Sequence, residues 1–353
     1  MRLPSLRRLI SPLLQSRASR PPSDSPSGSP DDYAQRVLAE QATFKDCLDV
    51  NDLPAIYHYW SNTYLRPKLE GLGYSYPEDF FAKSFATCGL DRPERRLLSI
   101  GAGNCDTEVR TAQLLVSRGV TNFTIECIDF NRAMLDRGRL LADREGLGAK
   151  LEMTIADFNT WEPDGKYDGV MANQSLHHVL DLEHLFDAIA RAMAPGALFL
   201  TSDMIGRNGH QRWPEALEIV EELYAQIPRK YRYNHQRRVF EEKFVNVDCS
   251  TAGFEGIRAQ DILPLLVERF HFDTFAPFAN VIDPFIDRAF GHNFDQDAEW
   301  DRAFIDNVHA RDEEAMRIGR IKPTHLIAAM CLDRPSKPRF LDDRPPAECI
   351  RRP

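Results

Sequence analysis

The run Arg96-Leu97-Leu98-Ser99-Ile100-Gly101-Ala102-Gly103-Asn104-Cys105-Asp106-Thr107-Glu108 constrains the fold more than any other segment, because an apolar strand breaks into a glycine turn and then opens a helix. Such a turn lets a ligand approach bare backbone at the carboxyl end of a strand, the edge at which open α/β sheets bind nucleotides. A second apolar strand, Phe123-Thr124-Ile125-Glu126-Cys127-Ile128, ends on Asp129, an acid placed to accept hydrogen bonds from ribose hydroxyls. Glycine turn and spaced acid together imply a cofactor that contains adenosine.

The signs of the nearby charges narrow that cofactor. The third glycine of a dinucleotide fingerprint is absent, with Asp106 in its place, and both Asp106 and Glu108 fall in the first turn of the helix. A pyrophosphate on a helix N-terminus wants backbone donors without competing anions. Two acids disfavour it, whereas beside the cationic sulfonium and ammonium of S-adenosylmethionine they are harmless or helpful. They also complement the helix dipole whatever the ligand.

Four further segments carry a family resemblance. Ile128-Asp129-Phe130-Asn131-Arg132-Ala133-Met134-Leu135 resembles the acid-apolar-small-x-x-Met-Leu segment of class I S-adenosylmethionine-dependent methyltransferases. Ile155-Ala156-Asp157-Phe158 resembles their acid-aromatic pair, Tyr167 to Val179 is similar to the fourth-strand motif of the small-molecule branch, and Met193-Ala194-Pro195-Gly196 resembles the turn into the fifth strand. The motifs occur in family order and cover residues 95–205. The resemblance implies that the backbone of Gly101, Ala102 and Gly103, with Asp106, meets the methionine end of S-adenosylmethionine. By the same resemblance Asp129 holds the ribose beside Phe130 and Met134, Asp157 and Phe158 frame the adenine, and Asn173 and Gln174 face the methyl donor.

Helical and strand patterns alternate through this region: strands at 96–100, 123–129, 150–156, 167–173 and 197–204, with helices at 106–118, 131–146 and 181–193. Alternation of this kind builds a parallel sheet with right-handed crossovers. Residues 259–269 then read as a helix, 270–278 as a strand and 324–332 as the last strand, which in the family inserts antiparallel. The expected fold is an α/β, Rossmann-like, seven-stranded class I methyltransferase sheet, with a helical N-terminal cap and insertions after strand 5 and before the last strand. The expected division is a disordered basic tail (1–31), a helical cap (32–94), a cofactor-binding core (95–205), an insertion or lid (206–257), the end of the core (258–335) with a second insertion (280–321), and a C-terminal tail (336–353). Aromatic density in the cap, from Tyr57 to Phe81, suggests helices packed over the binding edge of the sheet or into the core.

Composition sets the limits. With 353 residues, 43% of them hydrophobic, the chain can bury one large α/β core with insertions. A net charge of −9 argues against nucleic acid as a partner. No stretch is apolar enough to span a membrane. The seven cysteines are scattered without a C-x-x-C pair, which suits free thiols, a cytoplasmic location and no metal site. The loop Gly291 to Asp297 has spaced oxygen ligands, but its glycine and acids miss the calcium-loop positions. The acid-free start, with Arg2, Arg7, Arg8, Arg17 and Arg20, reads as a disordered tail, a transit sequence or a weak membrane-surface anchor.

Candidates for the acceptor side are fewer. Within the first insertion the segment Arg229-Lys230-Tyr231-Arg232-Tyr233-Asn234-His235 interleaves cations with rings, a pattern suited to an anionic, ring-containing acceptor or to a solvated face. Arg229, Tyr231, Arg232, Tyr233 and His235 are the candidate substrate contacts. A hydroxyl acceptor needs a general base, and His177 and His178 are the nearest candidates by motif position. The sequence therefore points to methyl transfer from S-adenosylmethionine to a small-molecule or glycan-related acceptor, with O-methylation favoured. A nicotinamide-dependent oxidoreductase and a degenerate methyltransferase acting as a binding scaffold are the alternatives.

Overall fold

The computed structural model describes residues 30–44, 53–251 and 253–352. The basic segment before Pro30 lies outside the described residues. Four helices come first: α1 (Pro30–Phe44), α2 (Ala55–Trp60), α3 (Arg66–Gly71) and α4 (Pro77–Ala86), with a π-helical turn at Ser61–Leu65 joining the second to the third. The alternating core follows as β1 (Arg95–Ile100), α5 (Asp106–Ser117), β2 (Phe123–Asp129), α6 (Arg132–Arg144), β3 (Leu151–Ile155), β4 (Tyr167–Asn173), α7 (Leu182–Ala192) and β5 (Met193–Met204). The first insertion holds α8 (Pro214–Gln226) and a short hairpin, β6 (Tyr233–Asn234) and β7 (Val239–Phe240). After it come α9 (Ala259–Arg269), β8 (His271–Phe278), α10 (Asp283–Ile286), α11 (Glu299–Arg317), β9 (His325–Cys331) and β10 (Arg339–Phe340).

The main sheet has the order β10-β8-β9-β5-β4-β1-β2-β3. Strands β1 to β5 pair in parallel, while β9 runs antiparallel to both β5 and β8. The seven expected strands are thus present in a class I methyltransferase arrangement. Two details differ from the sequence reading. Strand β5 begins at Met193, since Pro195 and Gly196 are carried at its start instead of forming a separate turn. An eighth strand, β10, comes from the segment read as a C-terminal tail, where Arg339 donates to the Leu72 carbonyl, the Tyr74 hydroxyl and the Thr274 hydroxyl. That side chain ties the cap to the outer edge of the sheet.

Side-chain alternation explains the layers, because successive residues of a strand face opposite sides. Leu97, Met171, Leu200 and Ile327 face a core shared with α4, α5, α6 and α8. Leu98, Val170, Phe199, Leu326 and Ala328 face the opposite core, shared with α7 and α9. Helix α7 shows how local sequence supports this: Asp181 accepts from the His184 N–H as an N-cap, and Leu182, Leu185, Phe186 and Ile189 recur on the buried face. Of the cap, α4 packs Phe80, Phe81 and Phe85 wholly into the first core, so those aromatics are ordinary core. Helix α1 reaches the carboxyl edge of the sheet, where Tyr33 meets Asp157 and Gln41 the Phe130 carbonyl. Among the described residues, no helix is long and apolar enough to cross a membrane.

Candidate active site

The glycine turn is built as the sequence requires. Gly101 and Gly103 have φ of +69° and +52°. A Cβ on Gly101 would lie 2.4 Å from the Ser175 Cβ, which leaves no room for a side chain there, and one on Gly103 would press on the Met134 methyl at 3.1 Å. Cys105 also adopts positive φ, +58°, and turns its thiol inward against Gly138 of α6, leaving the turn lined by backbone. Ser175 fastens the turn from β4 by donating to the Ile100 carbonyl at 2.7 Å.

Asp129 ends β2 beside this turn. Its carboxylate accepts from the Gly103 N–H at 3.0 Å and the Asn131 N–H at 2.7 Å, while Asn131 caps α6 through the Met134 N–H. Burial raises the Asp129 carboxyl above the ordinary carboxylate range, opposed by those two donors. The Phe130 and Phe158 rings sit 5.7 Å apart, next to Asp157. Gly101, Ala102, Gly103, Asp129, Phe130, Met134, Asp157 and Phe158 are therefore brought to one stretch of the edge. Asn173 reaches it too, donating to the Thr107 hydroxyl at 3.0 Å, and Gln174 is exposed with φ of +51°.

The two acids of the first turn separate. Asp106 is exposed at the start of α5, whereas Glu108 is buried behind the turn and accepts from the Ser99 hydroxyl at 2.6 Å. Burial pushes the Glu108 carboxyl up to about 7 despite that donor. Its contacts are with the strand, so the sequence argument that set it beside a sulfonium is corrected for this residue.

At the other end of the edge the structure assembles a cluster that no single motif contains. The chain after β4 makes one 3-10 turn, Leu176–His178, and Asp203 near the end of β5 receives the Ser175 and Leu176 N–H groups. The remaining oxygen of Asp203 lies 2.6 Å from His177 Nδ1. Burial would raise the Asp203 carboxyl, but the His177 charge and hydrogen bond and the backbone donors hold it below its ordinary range. His178 turns the other way, with Nδ1 2.7 Å from Glu40 of α1. Burial lowers its affinity for a proton; the Glu40 hydrogen bond and the charges of Glu255, Glu40 and Asp203 outweigh that and raise it to about 9. The first insertion adds His210 and Glu255, joined at 2.8 Å, with Glu255 Oε1 3.6 Å from His177 Nε2. Burial opposes ionisation of Glu255, yet the His210 hydrogen bond and three imidazoles pull its carboxyl far below the ordinary range.

Helix α1 lies over both ends. Tyr33 donates to Asp157 at 2.5 Å, Gln41 to the Phe130 carbonyl, Arg36 to the Ser250 and Gly253 carbonyls, and Glu40 accepts from the Phe254 N–H. Tyr33, Glu40, His210, Glu255 and Asp203 were missed by sequence reasoning. Only Asp203 left a signal, as a buried acid ending an apolar strand; the others belong to segments that meet the edge only after folding.

The basic segment is not among the residues gathered at this edge. Tyr231 is buried, donates to Asp301 at 2.5 Å and stacks between Phe294 and Trp300. Arg232 donates to the carbonyls of Ile227, Glu242 and Ala225, Arg229 pairs with Glu242 over the Phe240 ring, and His235 bonds Asn293. Tyr233 packs edge-on to His235 and Phe240. Tyr231 and His235 tie the insertion to α11 and the loop before it, while Arg229 and Arg232 find their partners within the insertion.

Comparison with known proteins agrees with this geometry. A family defined by a methyltransferase domain matches residues 72–259, more than half of the chain. The sterol 24-C-methyltransferase ERG6B of Gibberella zeae is 25% identical over 155 residues, 41% of this chain and 38% of that protein. The sterol 24-C-methyltransferase erg6 of Aspergillus fumigatus is 32% identical over 87 residues, 24% of this chain and 23% of that protein. The chain thus matches less than two fifths of the length of these curated relatives. A geranyl diphosphate C-methyltransferase from Streptomyces coelicolor, solved with S-adenosyl-L-homocysteine, superposes over 72% of this chain and 75% of its own at 13% identity and a TM-score of 0.40. S-adenosylmethionine is the cofactor of the matched family. With the family match covering the sheet edge that carries the glycine turn and Asp129, the chain belongs to the class I S-adenosylmethionine-dependent methyltransferases.

Proposed function

We propose that this protein methylates a hydroxyl oxygen of a small-molecule acceptor, with His177 as the catalytic residue and Asp203 as the residue that orients it. Bound S-adenosylmethionine supplies a methyl carbon already activated by positive sulfur, so alignment and exclusion of water are the main demands on the protein. The backbone of Gly101 to Gly103 and the carboxylates of Asp129 and Asp157 would hold the cofactor, and α1 would cover it. His177 is the observation that carries the reading: a buried imidazole whose Nδ1 is fixed by a buried carboxylate presents only Nε2 to the acceptor. His178 is unsuited to take a proton near neutral pH, since it keeps its own up to about 9.

Methyl transfer from S-adenosylmethionine to a panel of hydroxylated small molecules, followed by mass spectrometry, tests this. Replacing His177 with alanine should reduce turnover by roughly 10²- to 10⁴-fold, the usual contribution of a general base, with S-adenosylhomocysteine affinity unchanged by calorimetry. Turnover within a few fold of the wild type would remove His177 from the chemistry. Binding of NADH in place of S-adenosylhomocysteine would point to an oxidoreductase.

A further inference from the structure

We infer that His177 Nε2, His210 Nε2 and Glu255 Oε1 form a binding site for one divalent transition-metal ion of borderline softness, of the zinc or iron(II) class, at the acceptor end of the sheet edge. The three atoms lie within 4.8 Å of one another. Glu255 Oε1 is 2.8 Å from His210 Nε2 and 3.6 Å from His177 Nε2. Ligands bonded to one ion at roughly 2.0–2.1 Å stand about 3 Å apart, so small side-chain rotations complete the shell. Two imidazoles and one carboxylate are a donor set that suits these ions and leaves at least one position open.

Three independent features support a ligand here. First, His177 is only 4% exposed, and its Nε2 has no hydrogen-bond partner among the described residues, because the Glu255 oxygen at 3.6 Å is beyond hydrogen-bond reach. That nitrogen lies with His210 Nε2 and Glu255 Oε1 in one cluster and is open to a ligand. Second, Asp203 on Nδ1 is the second shell that metal-binding histidines usually have: it fixes the tautomer and leaves the lone pair on Nε2. Third, His210 holds a φ of +54°, a left-handed conformation that costs a non-glycine residue of order 1 kcal/mol or more and is kept where the side chain must be aimed. The second Glu255 oxygen faces His178 at 3.6 Å, so the carboxylate would bind the ion through one oxygen only. Glu255 is partly exposed, which gives an entry path. Met204, Arg212, Asp283 and His325 line a small depression that His210 shares, where an acceptor oxygen could reach the open position.

Any part of the ion in catalysis rests on the methyl-transfer reading above and would change the role of His177 within it: with Nε2 bound to the ion His177 would be a ligand, and the ion would acidify a bound acceptor hydroxyl whose proton passes to solvent. The binding site itself is testable without turnover. The full chain, stripped with chelator, is titrated with Co²⁺ and Zn²⁺ by absorption spectroscopy and equilibrium dialysis. One ion per chain is expected, with a Co²⁺ spectrum of nitrogen and oxygen ligation. Glu255→Gln and His210→Ala should abolish stoichiometric binding, and Asp203→Asn should weaken it by roughly 10- to 100-fold, while S-adenosylhomocysteine affinity is retained in each as evidence of folding. Absence of stoichiometric binding by the wild type, equal binding by the variants, or a thiolate-to-cobalt band from the exposed Cys249 would overturn the site. Ion binding without methyl transfer would uphold the site and remove the transfer reading instead.

Discussion

The two ends of the sheet edge are built by opposite means. Over β1 to β3 the site consists of backbone and of side chains that answer neighbouring backbone: Asp129 accepts from Gly103 and Asn131, and Asn131 caps the helix that follows. Over β4 and β5 it consists of titratable side chains that answer one another: His177 with Asp203, His178 with Glu40, His210 with Glu255. The first kind suits a ligand common to a large family, because a bare turn and one acid can be specified in a few contiguous residues. The second kind ties titratable groups to one another, the arrangement on which the proposed base and metal site rest, and it draws on residues from 40 to 255 in the chain.

The comparison breaks most visibly at Asp203. Asp203→Asn should lower turnover by roughly 10³-fold, since the amide can hold His177 in the wrong tautomer, and should leave cofactor affinity alone. Loss of cofactor binding instead would mean that the two ends are not separable. The reciprocal change, Asp129→Asn, should weaken S-adenosylhomocysteine binding by about 1.5–3 kcal/mol, the scale of a hydrogen bond to a charged group, read by calorimetry. At saturating cofactor its turnover should recover most of the wild-type value; a permanent loss would tie Asp129 to the chemistry.

A smaller effect should appear at α1, which joins the two ends. His178 is faced by Glu40 of α1, Glu255 before α9, Asp203 of β5, Asp129 of β2 and the imidazoles of His177 and His210. Its folded-state pKa of about 9 lies above the ordinary histidine value, so its contribution is complete below about 6.5 and is lost as pH rises through 9. Protection of α1 amides from hydrogen exchange should fall between about pH 8 and 10. Glu40→Gln should show the same loosening already at neutral pH, because the amide can still accept from the Phe254 N–H but no longer offers a charge to His178. A pH-independent α1 would show that Tyr33 and Arg36 hold it without the ion pair.

The same contrast decides what could be read before folding. Strand period, the positive-φ glycines, the Asn131 cap and Asp129 are local, and the alternation from β1 to β5 follows from them. The order of β8 and β9 follows once the chain is placed in its family. His177 and His178 were legible as candidates but not as unlike residues, because their difference depends on Asp203 and Glu40, neither of which is a sequence neighbour. The histidine count gave no hint of His210 with Glu255, which are separated by α8 and the hairpin. The basic segment is ambiguous for the complementary reason: interleaved charges and rings look the same whether their partners are a ligand or the rest of the chain.

That segment yields the smallest expected effects, and they can still restore it to function. Arg232 spends its guanidinium on three carbonyls, one of them that of buried Ile227, so Arg232→Met should cost about 1 kcal/mol of stability in denaturant unfolding. Arg238 lies exposed at the hairpin turn with φ of +58°. Arg238→Gly should therefore leave stability equal or slightly higher by relieving that conformation. Neither variant should change the Michaelis constant of the acceptor or the affinity for cofactor if the segment is a brace. A selective rise in the acceptor's Michaelis constant for Arg238→Gly, with the fold and cofactor site intact, would mean that the exposed cations reach the acceptor across the face of the insertion, and the titratable end of the edge would extend further than its hydrogen bonds show.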